Sequence, residues 1–363
     1  MPPADAVYGV PTVEIVPLRY SETTPRDWIQ IDSDEIETLP WEAIMKKLLV
    51  NLAELTEAHR EAIAGAAEKR GWEAVFCEGE AAFAAARDAE VIFSPDTGLL
   101  RAAEALKWLN VPSAGAEAYL DPALYARREA VLTNSAGAYG VTIAEHIVMV
   151  TLELMRRQME YERVVAERGW ERGLAIRSIR GSRVTLLGTG DIGATTAARL
   201  RGFEPRRIVG VNRTGHPAAG PFDAVLPLSA LDELLPETDL LVMALPGTPE
   251  TAGLMDRRRL SLLPGEAYLV NVGRGSAVDE VALVDLLRAG KLAGAALDVF
   301  RTEPLPADSP LWDCPRLRIT PHVAGNMTLG YTKDTIVALF LENFERYCDG
   351  KPLKRVVTRE KGY

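Results

Sequence analysis

Cysteine and histidine are both scarce in this sequence of 363 residues. The three cysteines, Cys77, Cys314 and Cys348, form an odd set without a CxxC pair. This usage argues against a disulfide framework and against a thiolate zinc site. No two of the four histidines have helical ligand spacing, so we expect no metal. Reduced cysteines are typical of the cytoplasm, which is the expected location.

Long apolar runs and an excess of basic residues are also missing. The apolar stretch 143–155 is interrupted by Glu145, His146 and Glu153, well short of the ~20 uninterrupted residues of a membrane-spanning helix. Residues 1–20 carry prolines and acids where a signal peptide has a basic and then an apolar segment. The 41 basic and 51 acidic side chains give a net charge of −10. We therefore expect neither a nucleic-acid nor a membrane partner.

Short β-rich runs alternate with helical stretches from residue 46 onward. In the first set the predicted strands are 47–52, 74–78, 91–93 and 111–114, and the predicted helices are 56–69, 80–88 and 99–109. One long helix, 141–168, leads to a second set with strands at 183–187, 208–211, 240–244, 268–271, 294–297 and 318–319. A final helix, 328–348, is expected to return to the first set. This alternation predicts an α/β fold with two doubly wound parallel sheets.

The stretch GTGDIG at 188–193 follows an apolar strand and opens a helix. In this context Gly188 permits a tight turn, Gly190 lets a pyrophosphate approach the backbone, and Gly193 allows close packing of helix and strand. The N–H groups at the helix start, with Asp191 and Ile192, would meet the phosphate charge. The pattern predicts dinucleotide binding.

The end of the next strand bears on which dinucleotide binds. An acid there bonds the ribose 2′-OH of NAD, whereas a basic residue accommodates the 2′-phosphate of NADP. This strand ends in Asn212, Arg213 and Thr214, without a carboxylate. The residues favour NADP, and the alternative is that Arg213 stacks on the adenine of NAD.

Three further motifs each place one reactive side chain beside a strand end: LVNVGRGSAVDE at 269–280, GAALDVFRTEP at 294–304 and TPHVAGN at 320–326. Ligands of open α/β sheets bind outside the carboxyl ends of the strands, so Arg274, Glu303 and His322 should converge on one crevice. A guanidinium can bond the carboxylate of a 2-oxo acid and polarise its carbonyl. A histidine supplies the proton that the alkoxide requires, and a neighbouring glutamate favours the imidazolium.

With the glycine fingerprint, these motifs resemble the D-isomer-specific 2-hydroxyacid dehydrogenase family from about residue 46 to residue 347. The resemblance implies a Rossmann NAD(P)-binding domain, 139–324, inserted into a flavodoxin-like substrate domain of 46–138 and 325–363, with an N-terminal extension of 1–45. It implies that Arg274 anchors the substrate, His322 is the acid/base and Glu303 pairs with it. It also implies a homodimer, for which the apolar half of helix 141–168 is the candidate interface; the alternative is burial of that helix within one chain.

Further residues are assigned by the same resemblance. Two substrate-facing loops are SPDTG, 94–98, and SAGAE, 113–117, where the family has a pattern closer to GxGxD; the substrate contacts are Ser113, Ala114 and Gly115. The remaining cofactor contacts are Leu245, Pro246 and Thr251 in the loop LPGTPET, then Val272, Gly273, Asp298, His322 and Gly325. The LPGTPET loop has the alternative of a surface turn, and Asp298 that of a loop cap. Of the other histidines, His146 is expected to pack or to serve the domain junction, and His59 and His216 to lie on the surface.

We therefore expect an oxidoreductase that transfers a hydride between NADPH or NADH and a small 2-oxo acid such as glyoxylate or hydroxypyruvate, forming a D-(R)-2-hydroxy acid. Its two domains would close by hinges near 135–145 and 322–328. The alternative is a dinucleotide-sensing, corepressor-like interaction protein of the same fold.

Overall fold

Two parallel sheets form the framework of this chain. A computed structural model describes residues 45–360 and 362, so nearly all of the expected extension 1–45 lies outside the described residues. In the described part of the chain, no helix has the length and apolar character needed to cross a membrane.

The first sheet has five strands in the order β2-β1-β3-β4-β5, with every neighbouring pair parallel. This order is flavodoxin-like. Its elements are β1 (Lys46–Val50), α1 (Glu57–Lys69), β2 (Trp72–Phe76), α2 (Gly79–Ala86), β3 (Ala89–Phe93), β4 (Trp108–Asn110) and β5 (Val131–Thr133).

The second sheet has seven parallel strands in the order β12-β11-β10-β9-β6-β7-β8. The chain leaves β6 in one direction and returns on its other side at β9, so the strand order reverses between them, where Rossmann sheets bind dinucleotides. Its strands are β6 (Arg183–Leu187), β7 (Arg207–Asn212), β8 (Ala224–Pro227), β9 (Leu240–Met243), β10 (Tyr268–Asn271), β11 (Gly294–Leu297) and β12 (Leu317–Ile319). Its helices are α5 (Asp191–Arg201), α6 (Leu231–Leu234), α7 (Arg257–Leu260) and α8 (Glu280–Arg288). The predicted fold class is confirmed.

Helices α3 (Gly140–Met155) and α9 (Gly330–Cys348) connect the two sheets. The ring of Phe340 in α9 stacks on Phe93 of the first sheet at 4.3 Å between centroids. Near the starts of the two helices, the hydroxyls of Thr142 and Thr332 are 2.6 Å apart. The two helices that connect the sheets are thus hydrogen-bonded to each other near their N-termini.

The predicted helix 141–168 is wrong in its length. The structure has α3 and then α4 (Gln158–Ala166), separated at Arg157, whose φ is +59°. The carbonyl of Met155 accepts a hydrogen bond of 2.7 Å from the N–H of Arg177, which lies beyond α4. A partner distant in sequence thus takes a carbonyl that a continuous helix would use itself. The apolar side of α3 is buried in the same chain, as the burial alternative states, with Ile147 fully buried.

The predicted helix 99–109 and strand 111–114 are also wrong. Residues Thr97–Arg101 form a short 3₁₀ helix, and the strand is β4, which ends at Asn110. Trp108 is fully buried between β3 and β5, and its indole N–H donates to the hydroxyl of Thr133 at 2.8 Å. Strand pairing on both sides overrides the helical preference of the Ala- and Leu-rich sequence. Strands β5 and β8 were not anticipated.

His59 is not the surface residue that the sequence suggests, because its exposed fraction is 9%. It forms a capping box with Thr56 at the start of α1, each residue's backbone N–H meeting the other's side chain at 3.3 Å. Its Nε2 lies 2.8 Å from Oδ1 of Asp334 in α9. His59 therefore helps to cap the N-terminus of α1 and joins this helix to α9.

Candidate active site

The GTGDIG turn after β6 has the shape that the glycine pattern predicts. Gly188 has a φ of +102°, and a Cβ there would lie 2.6 Å from the carbonyl oxygen of Ala244. A Cβ on Gly193 would lie 2.0 Å from the carbonyl oxygen of Gly188. At Gly190, by contrast, no described heavy atom lies within 4 Å of that position. The first and third glycines are needed for packing, while open space at the second fits the approach of a dinucleotide phosphate.

Helix α5 begins directly after Gly190, which has no side chain to cap the first N–H groups. The carboxylate of Asp191 faces the start of α3 and accepts a hydrogen bond from the backbone of Gly140. Burial raises the pKa of Asp191, although that hydrogen bond opposes the shift. The side chain of Asp191 thus contacts α3, and what this residue and Ile192 can offer a phosphate is their backbone N–H groups.

The turn after β7 is held by Asn212. Its amide donates to the hydroxyl of Thr189 at 3.1 Å and to the carbonyl of His216 at 3.0 Å, and its oxygen accepts from the N–H groups of Thr214 and Gly215. Asn212 therefore shapes the turn, while Arg213 and Thr214 lie exposed upon it. Arg213 is close enough to Glu250 for its charge to contribute to the lowered pKa of that acid, after hydrogen bonds to the backbone of Glu250 and to Thr248.

The loop LPGTPET after β9 is internally bonded. The hydroxyl of Thr251 donates to the carbonyl of Pro246 at 2.7 Å and accepts from the N–H of Thr248 at 2.9 Å. The backbone of Leu245 lies 2.7 Å from where a Cβ on Gly273 would be, so the ends of β9 and β10 touch. Thr251 thus holds this loop through hydrogen bonds within it.

Arg274 follows β10 in a turn that Asn271 fixes. Asn271 is 1% exposed; its amide donates to the carbonyl of Arg274 at 2.9 Å and its oxygen accepts from the N–H of Gly273 at 3.1 Å. A Cβ on Gly275 would lie 1.9 Å from the carbonyl carbon of Phe300, so only glycine fits there. Val272 is buried beneath the turn. Sequence reasoning did not single out Asn271, although an amide at the end of an apolar strand was a usable signal.

His322 and Glu303 form a hydrogen-bonded pair beyond the ends of β11 and β12. Nδ1 of His322 lies 2.7 Å from Oε2 of Glu303, whose other oxygen accepts from the N–H of Phe300 at 2.8 Å. Burial alone would raise the pKa of Glu303, but the hydrogen bonds from His322 and Phe300 and nearby positive charge, including that of Arg274, hold it below its usual value. Nε2 of His322 is thereby left on the side of the ring away from the glutamate.

The loop that carries His322 is held by Asp298, which is 2% exposed. One carboxylate oxygen accepts from the hydroxyl of Thr320 at 2.6 Å and the N–H of Val323 at 2.9 Å, and the other accepts from the N–H of Ala324 at 3.0 Å. The φ of His322 is +53°, a left-handed conformation that non-glycine residues adopt at a cost. Asp298 thus caps this loop.

His146 packs beside this network from helix α3. Its Nε2 lies 3.3 Å from the hydroxyl of Thr320 and 4.0 Å from Oδ1 of Asp298. Burial lowers the pKa of His146, although the charge of Asp298 opposes the shift. Gly325 packs against the same helix, where a Cβ would lie 3.1 Å from Ile143.

The substrate-side loops come from the first sheet. In SPDTG, the hydroxyl of Ser94 accepts from the N–H of Asp96 at 2.9 Å, and Asp96 caps the 3₁₀ helix that follows. In SAGAE, the hydroxyl of Ser113 donates to the carbonyl of Gly115 at 2.6 Å, and the carbonyl of Ala114 accepts from the side chain of Asn134. Both loops are therefore fixed by their own polar side chains.

An acid that sequence reasoning did not assign to the site bonds Arg274. The carboxylate of Glu117 accepts from Nε and Nη2 of Arg274 at 2.8 and 2.9 Å. It also accepts from the N–H of Gly247 at 3.3 Å. Burial alone would raise the pKa of Glu117, but the hydrogen bonds and charge of Arg274 keep it below its usual value. The structure therefore brings the substrate-side loop 113–117 to Arg274. The turn 212–216, which carries the expected cofactor residues, follows β7 instead.

Comparisons with known proteins identify the family of this chain. The family model described as D-isomer specific 2-hydroxyacid dehydrogenase, NAD binding domain, matches residues 148–324. A glyoxylate/hydroxypyruvate reductase A of Klebsiella pneumoniae is 36% identical over 228 residues, which are 62% of this chain and 70% of the relative.

Solved structures share the fold. A D-isomer specific 2-hydroxyacid dehydrogenase family protein from Aeromonas salmonicida superimposes with a TM-score of 0.76 at 34% identity, covering 87% of this chain and 99% of that one. An NADPH-dependent glyoxylate/hydroxypyruvate reductase from Sinorhizobium meliloti, solved with NADP and sulfate, gives 0.75 at 26% identity, covering 88% and 100%. This chain belongs to the D-isomer specific 2-hydroxyacid dehydrogenase family, and it is an NAD(P)-dependent oxidoreductase.

Proposed function

We propose that this chain reduces small 2-oxo acids, with glyoxylate and hydroxypyruvate as the first candidates, and that chiral products have the D-(R) configuration. The observation that carries the proposal is the hydrogen-bonded pair of His322 and Glu303, with Arg274 close enough for its charge to act on Glu303. The names of the Klebsiella and Sinorhizobium relatives support the choice of substrates. The corepressor-like alternative is not favoured, because these relatives are reductases.

In the proposed reaction, Arg274 binds the carboxylate of the substrate and polarises its carbonyl. A planar guanidinium presents paired N–H donors that match a carboxylate. The positive charge also lowers the free energy of the negative charge that develops on the carbonyl oxygen. Asn271 holds the turn in which Arg274 lies.

His322 is the proposed proton donor. Reduced nicotinamide supplies the hydride when the cofactor is bound. Nε2 of His322 delivers a proton to the oxygen of the former carbonyl, while Nδ1 stays bonded to Glu303. Glu303 fixes the ring orientation, and its charge favours the imidazolium from which the proton leaves.

The cofactor is proposed to lie along the carboxyl ends of β6, β7 and β9. The backbone around Gly190 would receive the pyrophosphate, for which its open space and the start of α5 are suited. Arg213 and Thr214 would face the 2′-phosphate of NADP, because no acid stands at this strand end to bond a free 2′-OH. We infer that NADPH is preferred over NADH.

We further propose that the first sheet with α9 is the substrate domain and that the second sheet is the cofactor domain. The boundaries follow the expected 46–138 and 325–363 for the former and 139–324 for the latter. The expected hinges near 135–145 and 322–328 lie where the chain crosses between the two sheets, at or just before the starts of α3 and α9.

A homodimer is proposed from apolar side chains around α4. Trp170 is 90% exposed and Val165 is 70% exposed, and Met149 and Ile176 are also exposed. Exposed apolar side chains of this size favour an interaction surface when they lie together. A cytoplasmic location is proposed as well, which the three free cysteines support.

A screen of 2-oxo acids against NADPH and NADH tests the proposal, with oxidation followed by nicotinamide fluorescence. Oxidation that depends on a 2-oxo acid, with glyoxylate or hydroxypyruvate among the better substrates, is the expected result. If no 2-oxo acid in the screen supports oxidation of either cofactor, the proposal is wrong.

A further inference from the structure

One ion pair joins a loop of the first sheet to two loops of the second. Glu117 lies in the loop that follows β4, Arg274 follows β10, and Gly247 follows β9. The carboxylate accepts from Nε and Nη2 of Arg274 and from the N–H of Gly247. This single side chain therefore connects the two sheets beside the proposed substrate site.

The bonds of Arg274 leave two of its guanidinium N–H groups for a ligand. A guanidinium has five N–H groups. Two bond Glu117, and Nη1 donates a third to the carbonyl of Gly273 at 2.7 Å. By this count within the described part of the chain, one N–H remains on each terminal nitrogen. N–H groups on the two terminal nitrogens of a guanidinium can bond the two oxygens of a carboxylate.

The backbone of the loop also depends on this arrangement. A Cβ on Gly115 would lie 1.8 Å from Nη2 of Arg274 and 2.8 Å from Oε2 of Glu117. A side chain there would meet the guanidinium and the carboxylate together. The loop therefore lies directly against the ion pair, and a side chain at Gly115 would displace the guanidinium or the carboxylate.

We propose, resting on the proposed function, that Glu117 is a positioning residue that orients Arg274 when the two domains close, so that its terminal N–H groups face the carboxylate of the substrate. The bonds from Glu117 fix the rotation of the guanidinium, which otherwise lies on a flexible side chain. Because these bonds reach across from the other sheet, they form only when the loops are together. Closure would then complete the substrate anchor as well as cover it.

The opposite role for Glu117 is competition. A carboxylate on Arg274 could occupy the place of the substrate carboxylate, and its removal would then make the substrate bind more tightly. A positioning residue has the reverse effect, because its removal leaves the anchor misoriented. The sign of the change in KM therefore separates the two roles.

The test compares the wild type with Glu117→Gln, Glu117→Asp and the control Glu104→Gln, an exposed acid of the first sheet's surface. Glutamine keeps the length but loses the charge and one acceptor, and aspartate is too short to reach both nitrogens.

Four quantities are measured: KM for glyoxylate, Kd for NADPH, Tm, and Kd for oxamate. Oxamate is an unreactive analogue of a 2-oxo acid, and its binding is followed by quenching of the fluorescence of bound NADPH. We expect Glu117→Gln to raise both KM and the oxamate Kd by about tenfold or more, with a smaller rise for Glu117→Asp. Kd for NADPH should stay at the wild-type value in both variants, and a Tm above the assay temperature confirms that each variant is folded. All four quantities should keep their wild-type values in the control.

A double-mutant cycle with Arg274→Lys shows whether Glu117 acts through Arg274. In the Arg274→Lys background, Glu117→Gln should change the oxamate Kd by less than about twofold. The proposal would be overturned if KM and the oxamate Kd of Glu117→Gln were unchanged or lower. It would also be overturned if Glu117→Gln raised the oxamate Kd as much in the Arg274→Lys background as in the wild type. Those results presuppose a wild type that reduces glyoxylate, whereas a wild type that reduces no 2-oxo acid contradicts the proposed function itself.

Discussion

Nδ1 of His322 is 2.7 Å from Oε2 of Glu303, and the backbone of Phe300 holds the glutamate from its other oxygen. The glutamate thus has a fixed orientation before it contacts the histidine. The Nδ1 edge of the imidazole is therefore held toward the glutamate, and Nε2 is left for the substrate.

Replacement of Glu303 by glutamine should lower kcat by about 10- to 100-fold, since it removes the charge that favours the imidazolium and keeps only part of the hydrogen bonding. The Kd for NADPH should be unchanged. Steady-state kinetics with glyoxylate measure the effect, with Glu104→Gln as the control. A variant with wild-type kcat would show that the pair is structural only.

The lowered pKa of Glu303 also predicts a pH dependence of stability. A carboxyl whose pKa is lower in the folded than in the unfolded chain stabilises the fold above the unfolded value, about 4.3, and loses this contribution as pH falls through the folded value. The free energy of unfolding of the wild type should therefore exceed that of Glu303→Gln at neutral pH, and the difference should shrink below about pH 4. Urea unfolding at a series of pH values measures it; a difference that grows on acidification would contradict the assignment.

Asp298→Asn tests the loop that carries His322. An amide cannot accept on both sides, so at least one of the bonds from Thr320, Val323 and Ala324 is lost. Leaving a buried donor without a partner costs about 1–3 kcal/mol. We expect a lower Tm and a fall in kcat of roughly tenfold or more, because His322 loses its position. The exposed Asp308→Asn is the matched control, and an unaltered kcat in Asp298→Asn would exclude this role.

Arg213 should determine cofactor choice. One charge-assisted hydrogen bond to a 2′-phosphate contributes about 1.5–3 kcal/mol, so NADPH should bind at least about tenfold more tightly than NADH. Arg213→Ala should remove most of this preference while NADH use remains nearly intact. Arg206→Ala, just before the other end of β7, should leave the preference unchanged. Equal affinity of the wild type for NADH and NADPH would instead indicate that Arg213 stacks on adenine.

The proposed dimer predicts a light-scattering mass near twice the single-chain 39.6 kDa at micromolar concentration. A charge at the centre of an apolar interface is strongly unfavourable, so Trp170→Glu should shift the mass toward one chain. Val281→Glu changes a similarly exposed apolar residue on α8 and should not. A wild-type mass near 39.6 kDa would rule out the dimer under these conditions.

Local chemistry made much of this molecule predictable from its sequence. Glycine has particular backbone freedom, so the spacing of Gly188, Gly190 and Gly193 specified a turn that the structure contains. Buried parallel strands are short apolar runs, which is why most strands of the second sheet were placed within a residue or two.

The errors arose where distant parts of the chain meet. The break at Arg157 depends on a hydrogen bond from Arg177 to Met155, and β4 depends on strands at both sides. The bond between Glu117 and Arg274 joins residues 157 positions apart, and the sequence around one of them does not indicate the other as its partner. Such contacts follow from the packing of whole elements rather than from local preference.

Turnover of glyoxylate by the wild type and by His322→Gln, measured beside NADPH binding, tests the central claim most directly. Glutamine cannot supply the proton, so kcat should fall by roughly 10²- to 10⁴-fold while the Kd for NADPH stays unchanged. His216→Gln, an exposed histidine, should retain wild-type kcat. A near-normal kcat in His322→Gln would contradict the proposed mechanism.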